Sequence, residues 1–106
     1  MILKFKNAEG IEYSIKFRKP DKRTGGEDCD GVCFYAEDGK NEADINVNPH
    51  RTNQTIFNTV IHEVTHAFFE DKTEAETAKF ANTLSRLLFN ELQFKNNHLQ
   101  ELIREN

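Results

Sequence analysis

Tryptophan is absent from this 106-residue chain, and methionine occurs once, proline twice and cysteine twice. Two cysteines are too few for a disulfide scaffold. Cys29 and Cys33 stand four apart with no second pair, which a zinc ribbon requires, so a second metal site drawing on His50 is the lesser reading. They read as free thiols where a loop meets a strand. No apolar run exceeds a few residues, which excludes a membrane-spanning helix. Basic residues are not in excess: 14 Lys and Arg stand against 18 Asp and Glu, for a net charge of -4. No basic stripe stands out, so nucleic acid is not an expected partner. The opening Met1-Ile2-Leu3-Lys4-Phe5-Lys6 lacks the apolar core of a signal peptide, and the expected compartment is the cytoplasm. No repeat, low-complexity tract or linker divides the chain, so residues 1–106 form one expected domain. Its 37% hydrophobic residues, nine of them Phe, fill one modest core.

What is present changes character at mid-chain. Leu3 and Phe5 alternate with lysines. After Asn7-Ala8-Glu9-Gly10, the residues Ile11, Tyr13, Ile15 and Phe17 alternate with polar ones, which predicts a hairpin with one buried face. Residues 19–31 hold turn formers and charges, expected as a surface loop. A third strand is expected over Val32 to Ala36. Asp38-Gly39-Lys40-Asn41 turns the chain into a fourth over Ala43 to Val47. At Asn48-Pro49 the period becomes 3.6, and Asn48 or Thr52 can cap a helix. Ile56, Phe57, Val60, Ile61, Val64, Ala67 and Phe68 make its apolar face. From about Thr73 a second long helix carries Phe80, Ala81, Leu84, Leu87, Leu88 and Leu92. Beyond Asn96-Asn97, Leu99, Leu102 and Ile103 form a last amphipathic stretch. The expectation is α+β: strands over 1–48, helices over 49–106.

His62-Glu63-Val64-Thr65-His66 falls in the first helix. Residues four apart on a helix share a face, so both imidazoles can aim at one point, as the first two ligands of Zn²⁺ must. Glu63 projects about 100° round the helix, where it can take a proton from water held by the metal. With 4 His and 12 Glu in the chain, chance placement yields this string roughly 0.02 times per chain.

A catalytic zinc takes three protein ligands and leaves one position open. His98 is excluded by distance, roughly 33 Å along a straight helix. A short turn near Glu70 to Lys72 makes the helices antiparallel and returns both Glu74 and Glu76 to the level of the histidines. Helical phase does not separate them. Asp71-x-x-Glu74 and Thr73-x-x-Glu76 both read as capping boxes. If Asp71 caps the helix, Glu74 is occupied and Glu76 is free; if Thr73 caps it, the roles reverse.

Asn58-Thr59-Val60-Ile61-His62-Glu63-Val64-Thr65-His66-Ala67-Phe68 resembles the active-site helix of zincin metallopeptidases. Glu76-Thr77-Ala78-Lys79-Phe80-Ala81-Asn82-Thr83-Leu84 is similar to a Glu-Ala-x-x-Phe-Ala-x-x-Leu segment of ImmA/IrrE-type peptidases. Asp30-Gly31-Val32-Cys33-Phe34 and Ile45-Asn46-Val47-Asn48 are similar to strands ahead of that helix in small phage and mobile-element HExxH proteins. The resemblance implies a minimal zincin-like fold: an antiparallel sheet of about four strands, packed on the motif helix and a second long C-terminal helix. It implies His62, His66 and Glu76 as Zn²⁺ ligands, Glu63 as general base, and a peptide or protein substrate laid along the strand Ala43 to Val47 as a sheet edge. Tyr35, His50 and Arg51 are the candidates for stabilising the reacting oxygen. The alternative expectation is a zinc-binding interaction module without proteolysis.

Overall fold

The computed structural model describes residues 2–19, 29–91 and 103–104. Four strands and two helices follow in order: β1 (Leu3–Lys6), β2 (Glu12–Phe17), β3 (Gly31–Phe34), β4 (Glu42–Val47), α1 (Asn53–Phe68) and α2 (Glu74–Arg86). A π-helical turn over Leu87–Glu91 extends α2. The expected loop over 19–31 lies mostly outside the described residues. So do Leu92, His98, Leu99 and Leu102.

Period-two alternation puts Tyr13, Ile15 and Phe17 of β2 and Ile45 and Val47 of β4 on one face, all buried. With Ile56 and Ala67 of α1 they form the core. The Phe5 ring stacks on Tyr13 with centroids 5.3 Å apart and lies 6.0 Å from Phe68. This aromatic column ties the β1–β2 hairpin to the last turn of α1. Asn7 makes the same link with polar atoms. Its Nδ2 donates to the Ala67 carbonyl at 3.0 Å, and its Oδ1 accepts from the amides of Glu9 and Ile11.

The sheet is mixed, not antiparallel throughout, with strand order β1-β2-β4-β3. β1 and β2 pair antiparallel, as do β3 and β4, but β2 and β4 run parallel. The long connection from β2 to β3 lets the second hairpin dock through its later strand. β4, with Ile45 and Val47 fully buried, earns the central place. β3, which carries Gly31, is left at the edge. The substrate-binding edge expected of Ala43 to Val47 is therefore corrected: among the described residues, β3 borders the groove and β4 lies inside the sheet.

Thr52 caps α1, its hydroxyl accepting from the Thr55 amide at 3.2 Å. The face that α1 buries includes Ile56, Thr59, Glu63 and Ala67, spaced three and four apart. The buried stripe is thus partly polar, and Phe68 lies largely outside it. α2 packs on α1 through small residues, Thr77, Ala81 and Ser85. Spaced by four, they let the backbones approach closely. The expected apolar side of α2 is displaced accordingly, with Phe80 and Leu87 exposed. Among the described residues no helix is long and apolar enough to cross a membrane.

Candidate metal centre

Gly31 sets how closely α1 approaches the sheet. A Cβ built there would lie 2.5 Å from Thr59 Cγ2, 3.0 Å from the Asn46 carbonyl oxygen and 3.4 Å from Glu63 Cγ. The missing side chain lets one turn of helix, Thr59 to Glu63, lie directly on the edge strand. Glu63 is 5% exposed in consequence.

On the neighbouring stripe of α1, His62 and His66 stand one turn apart, their side chains 19% and 12% exposed. Their Nε2 atoms lie 3.1 Å from each other. The chain reverses just beyond. The Phe69 amide donates to the Thr65 carbonyl at 2.9 Å and the Lys72 amide to the Phe69 carbonyl at 3.1 Å. α2 therefore starts opposite the histidines, and its first residue meets them. Glu74 places Oε1 2.5 Å from His62 Nε2 and Oε2 2.9 Å from His66 Nε2.

Glu76 is not brought to this point. Thr73 caps α2, its hydroxyl accepting from the Glu76 amide at 3.1 Å, while the Glu76 carboxylate accepts from the Thr73 amide at 3.1 Å. The backbone bond from Thr73, then the hydroxyl bond, holds the Glu76 carboxyl below the usual range. Of the two candidate third ligands, the structure brings Glu74 to the histidines and leaves Glu76 on the helix cap. The cap decides it: with Thr73 at the N-cap, Glu76 is the N3 residue that closes the box, and Glu74, the first helical residue, is left facing the histidines.

The donor set suits a small divalent cation. Zn–N and Zn–O bonds of about 2.0–2.2 Å in a tetrahedron separate neighbouring ligand atoms by about 3.3 Å. Here the separations are 2.5 and 2.9 Å, to different Glu74 oxygens, and 3.1 Å between the imidazoles, so the three groups meet at one point but stand closer than ligands around a cation. Each imidazole meets the Glu74 carboxylate through Nε2, the nitrogen that donates to it when protonated and offers its lone pair to a cation when not. The Glu74 side chain is 73% exposed, so the centre lies at the mouth of the groove, open to solvent.

Glu63 stands beside it, with ligand atoms of His62, Glu63 and His66 all within 4.8 Å of one another. Burial, and then the Glu74 carboxylate, push the Glu63 carboxyl up to about 7. A group poised there both accepts and releases a proton near neutrality. A cation in the site would draw it down again.

The groove has a volume of about 520 Å³, within the range of small-ligand sites. Gly31, Cys33 and Tyr35 line one wall, and Thr59, Glu63 and the two histidines line the other. Of the three candidates for stabilising the reacting oxygen, Tyr35 lies on this wall and His50 and Arg51 do not. Arg51 is paired with Asp30 at 2.8 Å, and the His50 amide donates to Asn48 Oδ1.

Cys29 and Cys33 are free thiols. Cys29 Sγ donates to the Gly31 carbonyl at 3.0 Å. Burial, then Glu63 and Glu70, push the Cys33 thiol up to about 12, so it stays protonated and is a poor ligand. Among the described residues the one group of potential metal ligands is His62, Glu63 and His66. No family model, curated protein or solved structure matches the chain.

The sequence held the signals for Glu74 and for the edge strand, but in ambiguous form. Two overlapping capping boxes compete over six residues, and only the helix start separates them. Gly31 read as part of a motif strand; its role in seating Thr59 and Glu63 needs the third dimension.

Proposed function

We propose that this chain is a zinc-dependent metallopeptidase of minimal zincin-like architecture, with His62, His66 and Glu74 holding the cation and Glu63 acting as general base. One observation carries the reading. The Glu74 carboxylate reaches both motif imidazoles, so the three could serve as ligands, while the buried Glu63 has a carboxylate oxygen within 4.8 Å of the imidazole nitrogens. A purely structural zinc would take four protein ligands; His62, His66 and Glu74 would supply three and leave a position for water.

When bound, the cation would acidify a water molecule and polarise the peptide carbonyl. Glu63 takes the water's proton and passes it to the leaving amine, which needs a carboxyl that exchanges protons near neutral pH. Its poise in the metal-free chain comes from burial against β3. Glu74 orients both imidazoles from the opposite helix. β3 pairs with β4 on one side only among the described residues, and its other side borders the groove. An extended peptide adding there would pass its backbone in front of Glu63. The expected substrate is a peptide or protein; the net charge of -4 gives nucleic acid no excess of basic residues to bind.

The test joins metal content to hydrolysis. Purified protein is assayed for zinc and for cleavage of a mixed peptide library with and without chelator, beside Glu63→Gln. The proposal expects about one zinc per chain in both proteins, chelator-sensitive cleavage by the wild type and none by the variant. Zinc at full occupancy without cleavage of peptides or partner proteins supports the non-proteolytic binding module instead. Cleavage that survives Glu63→Gln sinks the mechanism.

A further inference from the structure

The groove holds several side chains able to donate a hydrogen bond, and some are engaged. Asn58 Nδ2 donates to Asn82 Oδ1 at 2.7 Å, tying α1 to α2. Thr59 Oγ1 donates to the Thr55 carbonyl at 2.8 Å, and Cys29 to the Gly31 carbonyl. Both histidines face Glu74. Tyr35 is different: its phenol makes no hydrogen bond among the described residues. It lines the groove across from α1, one residue beyond β3, on the alternation that turns Gly31 and Cys33 toward that helix. The ring is 43% exposed, so it turns without unpacking the core. Burial of the hydroxyl, then Cys33, Glu70, Glu63 and Glu74, push it up to about 12. Across neutral pH the phenol therefore keeps its proton and is a donor.

We propose that Tyr35 is a catalytic residue that donates its phenolic hydrogen to the carbonyl oxygen of the scissile peptide as negative charge develops there. The assignment rests on the peptidase reading above. A donor aimed at charge that exists only in the transition state raises kcat and leaves ground-state binding nearly alone. Among the hydroxyl groups lining the groove in the described residues, Thr59 is committed to the Thr55 carbonyl and Tyr35 is not.

The experiment compares zinc-loaded wild type and Tyr35→Phe by zinc content, by kcat and KM on a cleaved peptide, and by affinity for a phosphinic peptide whose tetrahedral anionic group replaces the scissile amide. The expected result is unchanged zinc content, KM within about threefold, kcat lower by about 10²–10³-fold, and phosphinic-peptide binding weakened at least tenfold. A variant within twofold of the wild type in both kcat and phosphinic-peptide affinity overturns the assignment. So does a loss that appears in KM and zinc content with kcat intact, the pattern of a merely structural residue. A wild type that holds zinc but binds no phosphinic peptide overturns the peptidase reading itself, and Tyr35's role with it; the wild-type measurement tells the two failures apart.

Discussion

Gly31→Ala is the substitution whose cost follows most directly from geometry. The new methyl would sit 2.5 Å from Thr59 Cγ2, where carbon atoms prefer about 3.5–4.0 Å. Relief requires roughly 1 Å of separation between β3 and α1, and the Asn46 carbonyl oxygen at 3.0 Å closes the other direction. Gly31 is not among the glycines with positive φ, so the penalty is one of packing and not of backbone strain. Overpacking of this kind costs about 1–3 kcal/mol. Thr59→Ser removes the offending methyl and keeps the hydroxyl that donates to the Thr55 carbonyl, at a cost of about 0.8 kcal/mol for the lost apolar group. The double variant should therefore be less destabilised than the sum of the singles, with a favourable coupling of about 1 kcal/mol or more. Urea denaturation of the metal-free proteins at constant m-value reads all four free energies. Additive effects, or a stable Gly31→Ala single variant, would refute the view that this glycine seats the motif helix.

Two further consequences concern groups in and near the core. Thr77 Oγ1 is buried without a hydrogen-bond partner, so Thr77→Val should stabilise the chain by about 1 kcal/mol, because an orphaned hydroxyl costs more than its absence; a lower Tm would contradict this. Glu63 changes its proton affinity on folding, from an ordinary 4.5 to about 7. Its raised value favours the protonated folded form, so its contribution is intact below pH 4.5 and is lost as pH rises through 7. At about 1.4 kcal/mol per pH unit the loss approaches about 3 kcal/mol. Metal-free Glu63→Gln should lack this decline, and parallel stability profiles for the two proteins between pH 4.5 and 7.5 would count against the burial of the carboxylate.

Much of the fold was legible because single-period patterns dominate it. Tyr13, Ile15 and Phe17, and then Ile45 and Val47, announce strands by strict alternation. Capping chemistry announces the start of α1 at Asn48 or Thr52, and the structure selects Thr52. Pairing is another matter. The alternation of β4 says that one face is buried but not which neighbours it has, so its parallel partnership with β2 had no local signature. The apolar residues of α2 misled for a related reason: helix packing there selects small side chains, and Thr77, Ala81 and Ser85 do not register on a hydrophobic scale. At the site, His62, Glu63 and His66 were fixed by helical periodicity alone. Which carboxylate faces the histidines was not, since Glu74 and Glu76 differ only in which threonine or aspartate begins the helix. That choice turns on a few hydrogen bonds of about 1 kcal/mol each.

The central claim is that Glu74, and not Glu76, completes a zinc site with His62 and His66. Zinc affinity of wild type, Glu74→Gln and Glu76→Gln, measured by competition with a chromophoric chelator at pH 7, tests it most directly. The account predicts about one zinc per wild-type chain, an affinity at least about 100-fold weaker in Glu74→Gln, where a ligand and its charge are lost, and near wild-type affinity in Glu76→Gln, whose loss falls on the helix cap. Tight zinc in Glu74→Gln with loss in Glu76→Gln, or no zinc bound by the wild type, would contradict it.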